Sequence, residues 1–276
     1  MALLDASVWT DKIYTAKGWV AGGGGTRDVI NPASGEKLGS IGLASVADVN
    51  QAAKDAAAAQ VEWANTNIEV RAAIMRKAGE LFEQHAAEIE SWIVREAGSI
   101  PPKAGLETHV AAQECFEASA LPSHPNGVVM PSSADHWSFA RRRPAGVVTV
   151  IAPFNFPLIL SIRSIAPAIA LGNAVLFKPD PRTAVGAGAS IVRIFEEAGL
   201  PAGVFQMVNG AADIGEAVCV APEVRIISFT GSSAAGRKVG EVAAKHLKRA
   251  HLELGGNNAL IVLPGADVAK AASAGA

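Results

Sequence analysis

Hydrophobic positions recur with helical spacing through the first half of the chain. The segment 45–64 opens on Ser45, a residue type that commonly caps helices, with an acid three positions further on. Segments 68–98 and 103–120 show the same periodicity, with charged residues between the apolar ones. The glycine run 22–25 separates two short strand-like pieces and predicts a loop tip or a hairpin. This half is therefore predicted to be mainly helical.

After position 140 the pattern changes to short β-branched runs that alternate with helical segments. This alternation predicts an α/β fold with an open parallel sheet and helices on both faces. In such a sheet, ligands bind at the carboxyl ends of the strands. Those ends read APFN, KPDP, VNG, FTGSS and ELGG. The predicted strands are 146–153, 174–179, 203–210, 224–231, 249–254 and 258–263, and the predicted helices are 157–171, 183–199, 214–220 and 232–247.

Composition narrows the class of protein. Half of the 276 residues are hydrophobic and 18% are charged, which excludes a disordered or fibrous chain. The net charge of −2 gives no reason to expect nucleic acid or a membrane surface as a partner. The apolar stretch 155–177 is broken by Arg163 and by prolines, so we interpret it as a buried helix and strand. Two cysteines and no signal peptide favour a cytoplasmic location, and no metal site is predicted.

The segment FTGSSAAGRK predicts a turn that binds an anion. It ends a strand and begins a helix, where free N–H groups and the helix dipole attract phosphate. It departs from a P-loop, because Arg237 and Lys238 stand where Lys and Ser or Thr are needed. An ordinary capped helix start remains the alternative for this loop taken alone.

Three further residues at strand ends are candidates for chemistry. Lys178 could bond ribose or phosphate, or it could be a solvated loop lysine. Asn155 could form a turn or, in an apolar pocket, donate to a developing oxyanion. Glu253 stands between leucines and before two glycines, and is either an ion-pair partner or a general base. Apolar surroundings disfavour an ionised carboxylate, which suits a base that works near neutral pH.

Five ordered segments, APFNFPL, KPDPRTAV, GLPAGVFQMVNG, ISFTGSSAAGRKVG and LELGGNN, resemble the motifs of the aldehyde dehydrogenase superfamily. The resemblance runs from about Trp19 to the end of the chain. The segments KIYTAKGWVAGG, WIVREAGSI and LSIRSIAPAIALGNAV are most similar to the benzaldehyde dehydrogenase branch. That branch oxidises aromatic aldehydes to acids with NAD through a cysteine thiohemiacetal and thioester.

The resemblance implies a role for each matching residue. Asn155 is expected to stabilise the oxyanion, and Glu253 to activate the water that hydrolyses the thioester. Lys178 is expected to hold the adenosine ribose, and Pro181 replaces a ribose-binding glutamate, so NAD is only preferred over NADP. Gly210 and Gly215 are expected to flank the helix beside the adenine. The full set expected at the cofactor is Ile151, Ala152, Pro153, Phe154, Asn155, Lys178, Asp180, Pro181, Gly210, Gly215, Phe229, Thr230, Gly231, Ser232, Ala235, Glu253, Leu254 and Gly255.

The family's nucleophilic cysteine lies after the ELGG motif, and no cysteine follows Glu253 here. We interpret Cys115 and Cys219 as buried small residues, and the sequence as an incomplete part of a longer enzyme. Residues 1–252 are expected to form the NAD-binding domain with N-terminal helices and a β-arm near 126–144. Residues 253–276 are expected to begin the catalytic domain. The arm implies a homo-dimer or homo-tetramer of the full-length protein.

The 276 residues alone are expected to bind dinucleotide weakly or not at all. They are also expected to leave aldehydes unoxidised, because without a thiolate there is no covalent intermediate. A non-catalytic nucleotide-binding or assembly module stays open as an alternative, as does a semialdehyde dehydrogenase of the same superfamily. Arg163, near the expected substrate entrance, is compatible with a carboxylated or hydroxylated substrate. Acylating members typically lack the base glutamate, so Glu253 argues against them.

Overall fold

The computed structural model describes residues 2–275. Its first elements are a short helix and two antiparallel strand pairs: α1 (Ala6–Trp9), β1 (Lys12–Thr15), β2 (Gly18–Ala21), β3 (Thr26–Ile30) and β4 (Lys37–Gly42). β1 pairs with β2, and β3 pairs with β4. The glycine run 22–25 connects β2 to β3, which lie in different sheets. It is thus a loop, as predicted, and the hairpin alternative is wrong.

Four helices follow: α2 (Val46–Asn65), α3 (Ile68–Gln84), α4 (Ala86–Ala97) and α5 (Pro101–Ala120). The Ser45 hydroxyl oxygen caps α2 by accepting from the Asp48 N–H, and the Asp48 carboxylate accepts from the Ser45 N–H, so the predicted cap is confirmed. The predicted single helix 68–98 is wrong, because His85 (φ −103°, ψ 15°) separates α3 from α4. The break lets α4 pack on residues 184–189 while α3 packs on α5. Periodicity continued across the break because both helices bury one face.

The predicted arm is a hairpin of β5 (Gly127–Met130) and β6 (Ser138–Arg141), paired antiparallel. It lies within the expected range 126–144 and projects side chains into solvent, including Trp137 at 80% exposure.

Five parallel strands form the centre of the fold: β7 (Val147–Ile151), β8 (Ala174–Lys178), β9 (Phe205–Met207), β10 (Val224–Thr230) and β11 (Arg249–Glu253). The strand order is β11-β10-β7-β8-β9-β1-β2, so the antiparallel pair β1 and β2 extends one edge. The predicted open parallel sheet is confirmed, and the antiparallel edge was not predicted.

The helices between these strands are α6 (Pro157–Ala170), α7 (Ser190–Glu197), α8 (Ala212–Val220), α9 (Ser233–Lys245) and, after β11, α10 (Val268–Gly275). Alternate residues of β8 pack into two hydrophobic cores, one on each face of the sheet. Val175 and Phe177 pack with α3 to α7, while Ala174 and Leu176 pack with α2 and α8. Helices therefore cover both faces of the sheet, as predicted. No helix within residues 2–275 is long and apolar enough to cross a bilayer.

One further predicted helix begins differently, and one predicted strand does not form. The predicted helix 183–199 begins with a π-helical turn (Ala184–Ala189), whose N–H groups of Val185 and Gly186 donate to the buried carboxylate of Glu96. The predicted strand 258–263 is wrong: the four apolar residues at its end are 52–78% exposed and pair with no strand among residues 2–275. A hydrophobic run alone does not make a strand, because the backbone needs a hydrogen-bonding neighbour.

Candidate functional site

The predicted site segments meet at one edge of the sheet. Because β7 to β11 are parallel, their carboxyl ends all face that edge, and each predicted site segment lies at or follows one of these ends. Phe229 of β10 is in register with Ile151 on one side and Leu252 on the other. β7 and β11 are thus both neighbours of β10, which leaves about 10 Å between them. The segments that carry Asn155 and Glu253 therefore lie on the same edge, as predicted.

The loop after β7 rises from the core to the surface. Ile151 and Ala152 are buried, and the Ala152 N–H donates to the Lys178 carbonyl at 3.3 Å, which joins the ends of β7 and β8. Pro153 is half-buried, while Phe154 and Asn155 are exposed. The apolar pocket expected around Asn155 is therefore not formed by residues 2–275, although aromatic residues flank it on both sides.

The loop after β8 carries a bidentate ion pair. Nε and Nη2 of Arg182 donate to the two carboxylate oxygens of Asp180 at 2.8 and 2.9 Å. Burial raises the pKa of Asp180, but these bonds and the Arg182 N–H outweigh burial and hold the pKa below its ordinary value. The Arg182 guanidinium lies over the Phe154 ring, 3.6 Å from its centroid. Pro181 and Arg182 line a cleft of about 310 Å³ together with Thr183.

Lys178 lies at the end of β8 and is only 7% exposed. Burial lowers the pKa of its ammonium group, and the nearby Asp180 and Asp213 oppose that effect. Nζ donates to the Pro179 carbonyl at 3.3 Å. The lysine side chain lies next to Gly215, where a Cβ added to the glycine would be 3.7 Å from Cε of Lys178. A buried ammonium with one weak protein partner has donors to spare for a ligand. The solvated-lysine alternative is therefore wrong.

The glycines near β9 and α8 do not both flank the helix. Gly210 precedes α8, but Gly215 lies within it, so the expected arrangement is corrected for Gly215. A Cβ on Gly210 would lie 2.3 Å from Cγ1 of Ile214, so only glycine fits beside that side chain. α8 begins at Ala212, two residues before the predicted start at Ile214.

The turn after β10 is partly occupied by the protein itself. Phe229 is buried and Thr230 is half-buried, and the Gly231 N–H donates to the Glu253 carbonyl at 3.0 Å. Ser232 caps α9 through the Ala235 N–H at 3.3 Å. The Gly231 N–H therefore already has a protein partner. An anion at this turn would meet the next N–H groups of the first turn of α9.

Glu253 ends β11 in polar surroundings. Its carboxylate is 47% exposed and lies 3.1 Å from Nε2 of His251 and 3.9 Å from Nη2 of Arg163. The apolar surroundings predicted from the neighbouring leucines are not found in residues 2–275, because alternate strand residues point to opposite faces. Leu254 instead packs on α9, where a Cβ on Gly236 would lie 2.2 Å from it. Gly255 follows on the surface.

Neither cysteine is placed for nucleophilic chemistry. Cys115 and Cys219 are both buried and free. Burial raises the pKa of Cys115 well above its ordinary range and raises that of Cys219 to about 11, so both thiols stay protonated near neutral pH. The interpretation as buried small residues is confirmed. No cluster of metal ligands occurs within residues 2–275.

Comparison with known proteins agrees with these strand-end motifs. The model of the aldehyde dehydrogenase family matches residues 19–276. The chain belongs to the aldehyde dehydrogenase family. Among curated members it is 59% identical to a vanillin dehydrogenase of Amycolatopsis over 276 residues, which covers 100% of this chain and 57% of that protein. It is 46% identical to a benzaldehyde dehydrogenase [NAD(+)] of Pseudomonas putida, with coverage of 98% and 55%.

Solved structures of other proteins share the fold. An NAD-dependent benzaldehyde dehydrogenase from Corynebacterium glutamicum superposes with a TM-score of 0.90 at 43% identity, covering 96% of this chain and 59% of that one. An NADP-dependent enzyme of E. coli gives a TM-score of 0.92 at 31% identity, with coverage of 98% and 56%. The chain thus spans little more than half the length of the family members it matches.

Sequence reasoning missed four side chains that bear on this edge. Arg182 follows the KPDP motif directly and could have been noticed from its position. Lys103, Glu107 and Glu96 lie in helices of the N-terminal half, and their contacts with α6 and with residues 184–189 span more than fifty positions of sequence. No local signal marks such contacts.

Proposed function

We propose that this chain supplies the cofactor site, the oxyanion donor and the general base of an NAD-dependent dehydrogenase. The substrate proposed is an aromatic aldehyde such as benzaldehyde or vanillin, and the product is the carboxylic acid. The observation that carries the proposal is the common sheet edge of the segments with Asn155 and Glu253, on strands that both border β10. The activities named for the two relatives above support the substrate class.

The donors at this edge fit a dinucleotide. Lys178 has one weak protein partner and is proposed to bond the adenosine ribose. The first turn of α9 suits the pyrophosphate, because helix N-termini attract anions. Pro181 puts no carboxylate beside the ribose, so NAD is the proposed cofactor and NADP its alternative. The remaining expected contacts, from Ile151 to Phe154 and from Phe229 to Ala235, belong to this proposal.

The mechanism assigns each of this chain's groups one task. Held by Lys178 and the first turn of α9, NAD would supply the hydride acceptor. The Asn155 amide donates a hydrogen bond to the oxyanion, a contribution of about 3–4 kcal/mol for one such donor. Glu253 takes a proton from the water that attacks the thioester. The thiolate itself is proposed to come from a residue outside this sequence, because Cys115 and Cys219 are buried.

The same proposal divides the protein into parts. Residues 1–252 would be the NAD-binding domain, and residues 253–276 the first part of the catalytic domain. The exposed apolar side chains of the arm, including Trp137 and Phe139, are proposed to contact another subunit in a homo-dimer or homo-tetramer. Two free thiols fit a cytoplasmic location.

The test compares two purified proteins, the 276-residue chain and the product of the whole reading frame that contains it. NADH formation is followed at 340 nm with benzaldehyde, vanillin and an aliphatic semialdehyde. The expected result is turnover of the aromatic substrates by the second protein only. Turnover by the 276 residues alone would contradict the assignment of the thiolate. An inactive reading-frame product would contradict the enzyme proposal and favour a nucleotide-binding module.

A further inference from the structure

Asn155 lies between two aromatic residues, and a cation lies over each ring. The Arg182 guanidinium is 3.6 Å from the centroid of the Phe154 ring, and Lys103 Nζ is 4.3 Å from that of Phe156. Each cation is in turn held by a carboxylate, Arg182 by Asp180 and Lys103 by Glu107. These contacts connect the loop to two separate parts of the fold, the end of β8 and the helix α5.

Glu107 also fixes the helix that follows the loop. Its side chain is fully buried, and its Oε2 accepts hydrogen bonds from the N–H groups of Leu158 at 2.9 Å and Ile159 at 3.4 Å. These are first-turn donors of α6, which have no partner within the helix. Oε1 pairs with Lys103, whose Nζ also donates to the Ser99 hydroxyl at 2.9 Å. The buried Glu107 carboxylate of α5 thus replaces an N-cap side chain for α6.

A remote cap has a consequence for Asn155. The N-cap of α6 is Phe156, whose side chain cannot accept a hydrogen bond. Asparagine near a helix start is a strong capping residue, because its side-chain oxygen accepts hydrogen bonds from the free backbone N–H groups and so fixes the direction of the side chain. Because the Leu158 and Ile159 N–H groups already donate to Glu107, the Asn155 side chain is free to direct its Nδ2–H group to a ligand while the backbone after it is fixed.

We infer that Glu107, acting with Lys103, is a positioning residue that holds Asn155 in place for the oxyanion; this rests on the proposed function. Glu107 sets the first turn of α6, and Lys103 contacts the ring of Phe156, the residue that joins that turn to Asn155. The Arg182–Phe154 contact secures the other side of the loop. A displacement of about 1 Å in such a donor is enough to slow catalysis markedly.

The first experiment measures the loop without any enzymatic reaction. Hydrogen–deuterium exchange of the 276-residue chain is followed for the amides of Leu158 and Ile159 in Glu107→Gln and Lys103→Met. In Glu107→Gln, exchange is expected to be faster by about tenfold or more, since a charge-assisted bond is lost. Glu117→Gln, an exposed glutamate of the same helix, is the matched control and should change nothing. Unchanged exchange in Glu107→Gln would overturn the inference.

The second experiment asks whether Glu107 acts through Asn155. In the reading-frame product, Glu107→Gln is expected to lower kcat about 10- to 100-fold with little change in the KM for NAD. In an Asn155→Ala background the same substitution should change kcat less than about twofold, because the positioned donor is gone. Lys103→Met should lower kcat in the same direction, and Lys103→Arg should restore most of it.

The outcomes separate the inference from the function on which it rests. An equal loss of kcat from Glu107→Gln in both backgrounds would mean a general structural effect and would overturn the positioning role. A wild-type product without dehydrogenase activity would overturn the proposed function and the catalytic role of Asn155 together. The exchange measurement would still decide whether Glu107 fixes the loop.

Discussion

Nη2 of Arg163 lies 3.9 Å from Oε2 of Glu253. Arg163 belongs to α6, which follows β7, and Glu253 ends β11, so the two side chains meet across the end of β10. Their side chains are 37% and 47% exposed. The pair therefore places a permanent positive charge beside the proposed general base.

Replacing Arg163 should affect substrate choice more than stability. An exposed ion pair contributes about 0–1 kcal/mol, so Arg163→Met is expected to shift the melting temperature by no more than about 2–4 °C. Loss of the guanidinium should lower kcat/KM for a hydroxylated aldehyde relative to benzaldehyde by about tenfold. Arg163→Lys keeps the charge and is the control. The role in specificity fails if the two substrates lose kcat/KM equally.

Replacing Glu253 should separate two chemical steps. In a cysteine-containing reading-frame product, Glu253→Gln is expected to leave hydride transfer fast and to slow thioester hydrolysis about 100-fold or more. Stopped-flow absorbance should therefore show a burst of NADH followed by slow turnover. Glu241→Gln, on the exposed face of α9, is the control. Unchanged steady-state turnover would remove Glu253 from the base role.

Replacing Lys178 should weaken cofactor binding without harming the fold. Its buried ammonium costs desolvation and has one weak protein partner at 3.3 Å. Lys178→Met is therefore expected to leave the melting temperature unchanged or raise it, because burying a thioether of similar shape costs less desolvation free energy than burying an ammonium group. The Kd for NAD of the reading-frame product should rise about tenfold. Calorimetric titration of both proteins measures this, and an unchanged Kd would remove Lys178 from the ribose site.

Glu96 should make stability depend on pH. Burial raises the pKa of Glu96 from 4.5 to about 8, although the N–H groups of Gly186, Val185 and Ala184 oppose the shift. The folded state therefore holds the proton more tightly than the unfolded state. The stabilisation is complete below about pH 4.5 and is lost as the pH rises through about 8.

The measurement is urea unfolding at several pH values between 5 and 9. The unfolding free energy of the wild type relative to Glu96→Gln is expected to fall by a few kcal/mol across this range. Glu83→Gln, an exposed glutamate of α3, should follow the wild type. Parallel curves for wild type and Glu96→Gln would show that Glu96 does not titrate in this window.

Much of the secondary structure could be predicted from local patterns. Ser45 and Asp48 form the cap that their spacing indicates, and the strand at Val147–Ile151 ends one residue before the APFN motif. The errors occur where the outcome depends on residues that are distant in sequence. The predicted helix 68–98 breaks at His85, because α3 and α4 pack against different parts of the fold. The apolar run 258–263 is not a strand, because it has no neighbouring strand within residues 2–275.

By itself, the sequence determined the fold class, the motifs that follow the carboxyl ends of the strands, and the family, because all three depend on residue types at short spacing. Only the tertiary structure decided that Arg163 reaches Glu253, that Lys178 is buried, and that Glu107 caps α6 from another helix. The physical reason is that hydrogen bonds and charge pairs act over a few ångströms of space, whereas these partners are separated by tens of residues along the chain.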